Sequence, residues 1–193
     1  MNLSMRGARI ILPCRDVKKG YEVAGDIKSE TQGIIEVEEC DLASIPSIKR
    51  FCAKVLETES RVNSLIYCAG VENTPQWTTP EGFNYQLTVN YLSQYLMTFL
   101  LLPVIKHSAP GSRIINVSCH SHREATLNLS TLFTEMENYS TRCQTALSKL
   151  CVVLHSAELG RRLDGTGVTV YCANPGPCNT KIVINQVLAT LKL

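Results

Sequence analysis

Short β-branched runs alternate with longer stretches of helical periodicity along most of the chain, and this alternation constrains the fold more than any other feature. Ala8 to Leu12, Gly33 to Val37, Val62 to Cys68, Arg113 to Val117 and Val168 to Cys172 read as strands. Helices are predicted over Asp16 to Thr31, from Ser44 onward, over Glu81 to Lys106 and over Arg142 to Leu163. In the second of these, Ile45, Ile48, Cys52, Val55 and Leu56 share one face at helical spacing, and Pro46 sits in the first turn where no N–H is needed. Crossovers this long join parallel strands, because antiparallel neighbours need only a tight turn. The expected fold class is therefore α/β, a doubly wound parallel sheet.

The 193 residues, 45% hydrophobic and 19% charged, suit one domain spanning 1–193. No repeat or linker interrupts them. A net charge of +2 without a Lys/Arg run leaves no electrostatic footprint for nucleic acid. With 6% aromatics and Trp77 as sole tryptophan, a base-stacking platform is unsupported too. The nine cysteines are scattered and form no C-x-x-C, which fits reduced core thiols in a cytoplasmic protein. Residues 1–12 lack the apolar core of a secretory signal, so secretion is not expected. The greasiest stretch, Tyr91 to Ile105, is broken by Ser93, Gln94, Thr98 and Pro103 and reads as a buried helix, not a transmembrane segment.

In an open parallel sheet, ligands bind beyond the carboxyl ends of the strands. Those ends carry Cys14-Arg15-Asp16, Cys40-Asp41-Leu42, Cys68-Ala69-Gly70, Ser118-Cys119 and Asn174-Pro175-Gly176. Joined with Gly82-Phe83, the run Val89 to Leu92, the run Ser112 to Ser118 and Ser148-Lys149-Leu150, they resemble the short-chain dehydrogenase/reductase family, most of all its retinol-dehydrogenase-like branch. The likeness covers residues 6 to 183 in family order.

The resemblance implies a Rossmann-like sheet and a role for each matched residue. Arg15 is placed for the adenosine ribose, where a guanidinium pairs bidentately with a 2′-phosphate, so NADP(H) is expected over NAD(H). Asp41 matches the aspartate that accepts from the adenine amine; read alone, it is an ordinary turn or cap residue. Ala69 and Gly70 let the backbone pass close to the cofactor. Asn90 matches the asparagine that holds a relay water at a helix kink, and Lys149 the lysine on the nicotinamide ribose. Pro175, Gly176 and Thr180 match the loop that covers the nicotinamide. The implied substrate is a small carbonyl or alcohol of retinoid or lipid type, and the implied location is cytoplasmic, peripheral to the endoplasmic reticulum.

Three departures qualify that picture. No T-G-x-x-x-G-x-G occurs; the one G-x-G, Gly165 to Gly167, joins a helix to a strand, the reverse of a pyrophosphate site. The fold is thus expected to be incomplete, lacking the first family strand with its Gly-rich loop and the C-terminal strand. In the order 3-2-1-4-5-6 the first strand is central, so its two neighbours lose a partner and expose edges that invite a second chain, a route to a homo-oligomer.

The family pair Tyr-x-x-x-Lys is also changed: four residues before Lys149 stands Thr145, whose hydroxyl has neither the reach nor the acidity of a phenol. Tyr139 lies too far along the helix to replace it. Cys119 stands at the serine position, and a thiol is a weak donor. Finally, the chain ends soon after Pro175-Gly176, where substrate-lid elements follow in the family.

Other chemistry fares less well. In Cys119-His120-Ser121-His122, strand-like alternation would send thiol and imidazoles to opposite sides, and no second cluster completes a metal site. A Cys119 nucleophile with His155 or His120 lacks a visible orienting group. Two functions remain: an NADP(H)-dependent oxidoreductase of retinol-dehydrogenase type, impaired in this chain, or a non-catalytic member, fragment or isoform that serves as an interaction module.

Overall fold

The computed structural model describes residues 1–130, 132–133 and 139–176. Thr180 and Cys178 lie outside the described residues. A short turn of helix, α1 (Asn2–Met5), precedes β1 (Ile10–Cys14), α2 (Val17–Thr31), β2 (Ile35–Glu39) and α3 (Ile45–Thr58). Then come β3 (Ser64–Tyr67), α4 (Tyr85–His107), β4 (Ser112–Val117), α5 (Thr141–Arg162) and β5 (Val168–Ala173). Each long helix after β1, β2 and β4 begins on a side-chain cap. Asp16 accepts from the Lys19 N–H at 3.1 Å, Ser44 from Ser47 at 3.3 Å and Ser140 from Cys143 at 3.4 Å. Each bond satisfies a first-turn donor that the helix itself cannot.

All strand pairs are parallel, but they form two sheets, β1-β2 and β3-β4-β5. Between β1 and β3, which a central strand would separate in the expected order, no ladder pairing occurs among the described residues. The architecture is a Rossmann-like fold with small, incomplete sheets. Strand limits also differ from expectation: β1 and β2 run two residues later than the β-branched runs, since the ladder Ile10↔Ile35 through Cys14↔Glu39 decides which residues pair.

One core ties the two sheets together. Ile48, Phe51, Cys52 and Val55 of α3 meet Met97, Leu101 and Ile105 of α4 over Tyr67 and Ile114. Ile11 of β1 and Leu65 of β3 both pack against this cluster. On the other face of β1-β2, Ile10 and Leu12 turn toward Ala24, Val17 and Ile27 of α2. Adjacent residues of β1 thus serve opposite faces, as a period of two requires. The second face of β3-β4-β5 is more open. Its in-register row Ile66–Ile115–Tyr171 leaves Ile66 38% and Tyr171 48% exposed.

Helix α4 is longer than the apolar stretch that flagged it. Its 23 residues, with a mean hydropathy of 1.3 over the best window, are long and apolar enough to cross a membrane. More than half of that window is buried inside the fold, the pattern of a core helix.

Candidate active site

Three elements converge beyond the carboxyl ends of β3 and β4. Within α4, Thr88–Leu92 form a π-helical turn, whose extra residue displaces the helix from regular register. This turn carries Asn90, which is fully buried. Its Oδ1 accepts from the Val71 N–H at 2.7 Å, and its Nδ2 donates to the Val71 carbonyl at 2.9 Å and to Ser148 Oγ at 3.1 Å. The segment after β3 is thereby clamped to α4 and α5 at once.

On α5, Lys149 Nζ donates to the Val117 carbonyl at the end of β4, at 2.9 Å. Ser118 Oγ returns a bond to the Lys149 carbonyl at 3.1 Å. Burial holds the Lys149 ammonium below its usual pKa, while Cys119, Cys172, Glu72 and Cys68 pull it the other way. Gly70 lies between these two side chains. A Cβ there would stand 3.2 Å from Asn90 Oδ1 and 3.7 Å from Lys149 Nζ. The structure therefore brings together Gly70, Asn90 and Lys149, packed closely enough that a side chain at position 70 would press on Asn90.

Thr145 is one turn earlier on α5 and 5% exposed. Its hydroxyl donates to the Thr141 carbonyl at 2.9 Å and accepts from Gln86 Nε2. Gln86 is itself fully buried. Its Oε1 accepts from the hydroxyls of Thr74 and Thr141, each at 3.2 Å, and from Tyr139 at 3.4 Å. The Tyr139 phenol also reaches the Thr74 carbonyl at 3.1 Å. Both hydroxyls are thus spent on structural bonds.

Cys119 is half-buried, with its Sγ 2.7 Å from Ser121 Oγ. The strand-like alternation expected for residues 119 to 122 is not found. His120–Glu124 form a 3-10 turn, and His122 Nδ1 folds back to the Cys119 carbonyl at 2.6 Å. Among the described residues no cluster of three His, Cys, Asp or Glu side chains is arranged for a metal.

The adenosine-side residues sit farther out. Arg15 is exposed after β1, and its Nη1 donates to the Tyr85 hydroxyl at 3.1 Å. Asp41 Oδ1 accepts from the Ala43 N–H at 2.9 Å, the turn role that its position alone suggested. Ala69 is exposed, as are Pro175 and Gly176 after β5, where Gly176 has φ +74 and donates to Asn174 Oδ1 at 3.1 Å. Sequence reasoning missed Gln86, Ser148, Ser118 and Tyr85. Ser148 beside Lys149, and Ser118 at the end of its strand beside Cys119, were usable signals; nothing local marks Gln86 or Tyr85. A cavity of about 240 Å³ lies elsewhere, beside Arg9, Glu36, Glu59 and Lys54. There Arg9 bridges Glu36 and Glu59, so charged pairs already use its polar groups.

Known proteins resemble the chain in sequence and fold. The family model described as short chain dehydrogenase matches residues 1–189. Retinol dehydrogenase 13 of Homo sapiens is 44% identical over 183 residues, which cover 94% of this chain and 55% of that protein. Retinol dehydrogenase 12 of Homo sapiens is 38% identical over 190 residues, covering 98% of this chain and 60% of that one. The chain spans little more than half the length of these relatives. Among solved structures, an uncharacterized protein from Mycobacterium Paratuberculosis superposes with a TM-score of 0.78 at 32% identity, over 95% of this chain and 64% of that one. A metagenomic short-chain oxidoreductase in complex with NADP gives 0.71 at 25% identity, over 98% of this chain and 80% of that one.

Proposed function

The chain belongs to the short-chain dehydrogenase family, and from that premise we propose an NADP(H)-binding oxidoreductase unit of retinol-dehydrogenase type whose reacting centre is impaired. The observation that carries this reading is the meeting of Gly70, Asn90 and Lys149, with Thr145 one turn earlier on α5 tied to Gln86.

The residues present fit the ribose end of a nicotinamide dinucleotide. Gly70 leaves room for close approach, and the Lys149 ammonium has donors beyond the one given to Val117. Arg15 offers a guanidinium to a 2′-phosphate, and Asp41 keeps acceptor capacity for an adenine amine. By the family resemblance, Ala69, Pro175, Gly176 and Thr180 would belong to the cofactor's path. When bound, the cofactor supplies or accepts the hydride exchanged with a small carbonyl or alcohol of retinoid or lipid type.

The chain's own part is binding and orientation. Lys149 positions ribose hydroxyls, and Asn90 fixes the backbone beside it. Proton transfer to the substrate oxygen is where the chain is weak. Thr145 donates its only proton to the Thr141 carbonyl, and Cys119 replaces a hydroxyl donor by a thiol. Losing a general acid typically costs about 10²–10⁴ in rate. The second reading, a non-catalytic member acting as an interaction module, rests on those same two residues. In either case the 193 residues act as one domain, on the cytoplasmic side and peripheral to the endoplasmic reticulum, and pair with a second copy through the open edges of β1 and β3.

The deciding experiment is titration of the folded chain with NADPH, followed by fluorescence, with NADH as control. Micromolar binding that prefers NADPH supports the cofactor reading, and turnover of retinal or a lipid aldehyde would overturn the impairment. No binding by a folded sample overturns the reading.

A further inference from the structure

The two sheets leave their inner edges unpaired. In β1 the Ile10 N–H donates to the Ile34 carbonyl at 2.9 Å, and the Cys14 carbonyl accepts from the Cys40 N–H at 3.1 Å. Ile10, Leu12 and Cys14 therefore turn their main-chain groups to β2, and the alternation of a parallel ladder sends those of Ile11 and Pro13 the other way. In β3 the Asn63 carbonyl accepts from the Arg113 N–H at 2.8 Å, so Leu65 and Tyr67 face β4 while Ser64 and Ile66 face away from it. Among the described residues, the main-chain groups that Ile11, Ser64 and Ile66 direct outward find no partner. Both edges border one core, since Ile11 and Leu65 pack against the same cluster of α3 and α4.

Neither edge is guarded by charge. Residues 10–14 and 64–67 carry no charged side chain, whereas β2, the other edge of its sheet, carries Glu36, Glu38 and Glu39. Arg9, just before β1, is tied to Glu36 and Glu59. Charge is a common protection for an edge that stays unpaired, and here it is missing where two edges border one core. Pro13 costs β1 no ladder bond, because its nitrogen lies on the free edge, where it offers only a carbonyl.

We propose that the β1 and β3 edges form a slot for one extended, uncharged strand of another polypeptide, four to five residues long like β3 and β1 themselves. A strand already laddered in a sheet has one edge left and satisfies only one row of groups. A lone strand has both edges free and takes the two rows at once. The partner is thereby narrowed from the edge of a folded second copy to an unpaired segment. One face of that strand lies between Ile11 and Leu65 over the core. The other lies between Leu12 and Ile66, whose side chain is 38% exposed. Apolar, β-branched residues suit both faces, the pattern of a strand inside a parallel sheet. The cofactor reading is not needed for this slot.

The test is binding of the peptide acetyl-Lys-Lys-Val-Ile-Val-Ile-Val-Lys-Lys-amide to the full chain, without nucleotide. The chain is immobilised sparsely, so that copies do not meet, and binding is read by biolayer interferometry. A Kd below about 100 μM is expected. An analogue N-methylated at the second and fourth residues of the apolar run loses the donors of one edge and should bind at least about tenfold more weakly. Ile66→Pro tests the β3 edge. Its nitrogen points away from β4, so circular dichroism should show the fold retained, while peptide affinity falls by about tenfold or more. No binding to the wild-type chain, or equal binding of the two peptides, overturns the proposal whether or not the variant folds. Unchanged affinity in folded Ile66→Pro overturns the part given to β3. Because no nucleotide is present, none of these results bears on NADPH binding.

Discussion

Gly70, Asn90 and Lys149 on one side of the site, and Thr145 and Cys119 on the other, lie around the same ends of α4, β4 and α5, yet they differ in what they leave available. The first group is held by backbone. Asn90 grips Val71 through both its amide atoms, and Lys149 grips Val117, so their positions follow from the fold. The second group depends on residue type. A threonine at position 145 closes a bond within its own helix, and a thiol at position 119 settles on Ser121. A scaffold held by main-chain contacts can persist while the groups that would react on it are exchanged.

Restoring the second group should produce the largest effect. Thr145→Tyr with Cys119→Ser is expected to raise NADPH-dependent reduction of a retinoid or lipid aldehyde by about 10²–10⁴. If steady-state assays of a nucleotide-binding sample show no gain, the contrast between the two groups is not what limits turnover.

Breaking the first group should unsettle the fold. Asn90→Ala leaves both polar groups of Val71 without their Asn90 partners and should cost about 2–3 kcal/mol. For a chain of this size, that lowers the thermal midpoint by about 5–10 °C. Thr145→Ala is expected to shift the midpoint less, which scanning calorimetry of the two variants will compare.

Gly70→Ala sharpens the contrast further. The added methyl meets Asn90 Oδ1 at 3.2 Å, close enough that the amide must shift by a few tenths of an ångström. A loss near 1 kcal/mol in stability is expected, with a larger loss of NADPH affinity measured by fluorescence titration.

The smallest effect is electrostatic. Burial lowers the pKa of Lys149 below its unfolded value, so between the two the unfolded chain binds more protons. Stability should therefore rise with pH in that window and lose this gain as pH falls through the folded pKa. Urea melts of wild type and Lys149→Met between pH 7.5 and 10.5 should converge in favour of wild type at the alkaline end, by less than ~1.4 kcal/mol per pH unit.

Much of the fold was legible because it is local. Asp16 and Ser44 announce helix starts by residue type, and the alternation of β-branched runs with helical periodicity implies parallel strands. The site was legible in part. Lys149 and Asn90 could be marked by family resemblance, which also implied a kink in the helix at Asn90; the structure shows it as a π-helical turn. The fate of Thr145 could not be marked, since its hydroxyl is taken by Gln86, 59 positions away in the chain.

The sequence by itself determined the element types, their order and the chemistry at the end of each strand, because helical and strand periodicities and side-chain functional groups are properties of short segments. Only the tertiary structure decided that the five strands divide into sheets of two and three, and that Gly70, Asn90 and Lys149 share one space while Thr145 turns inward. Those outcomes depend on which distant backbone groups satisfy one another's hydrogen bonds, a matter settled by packing and not by spacing along the chain.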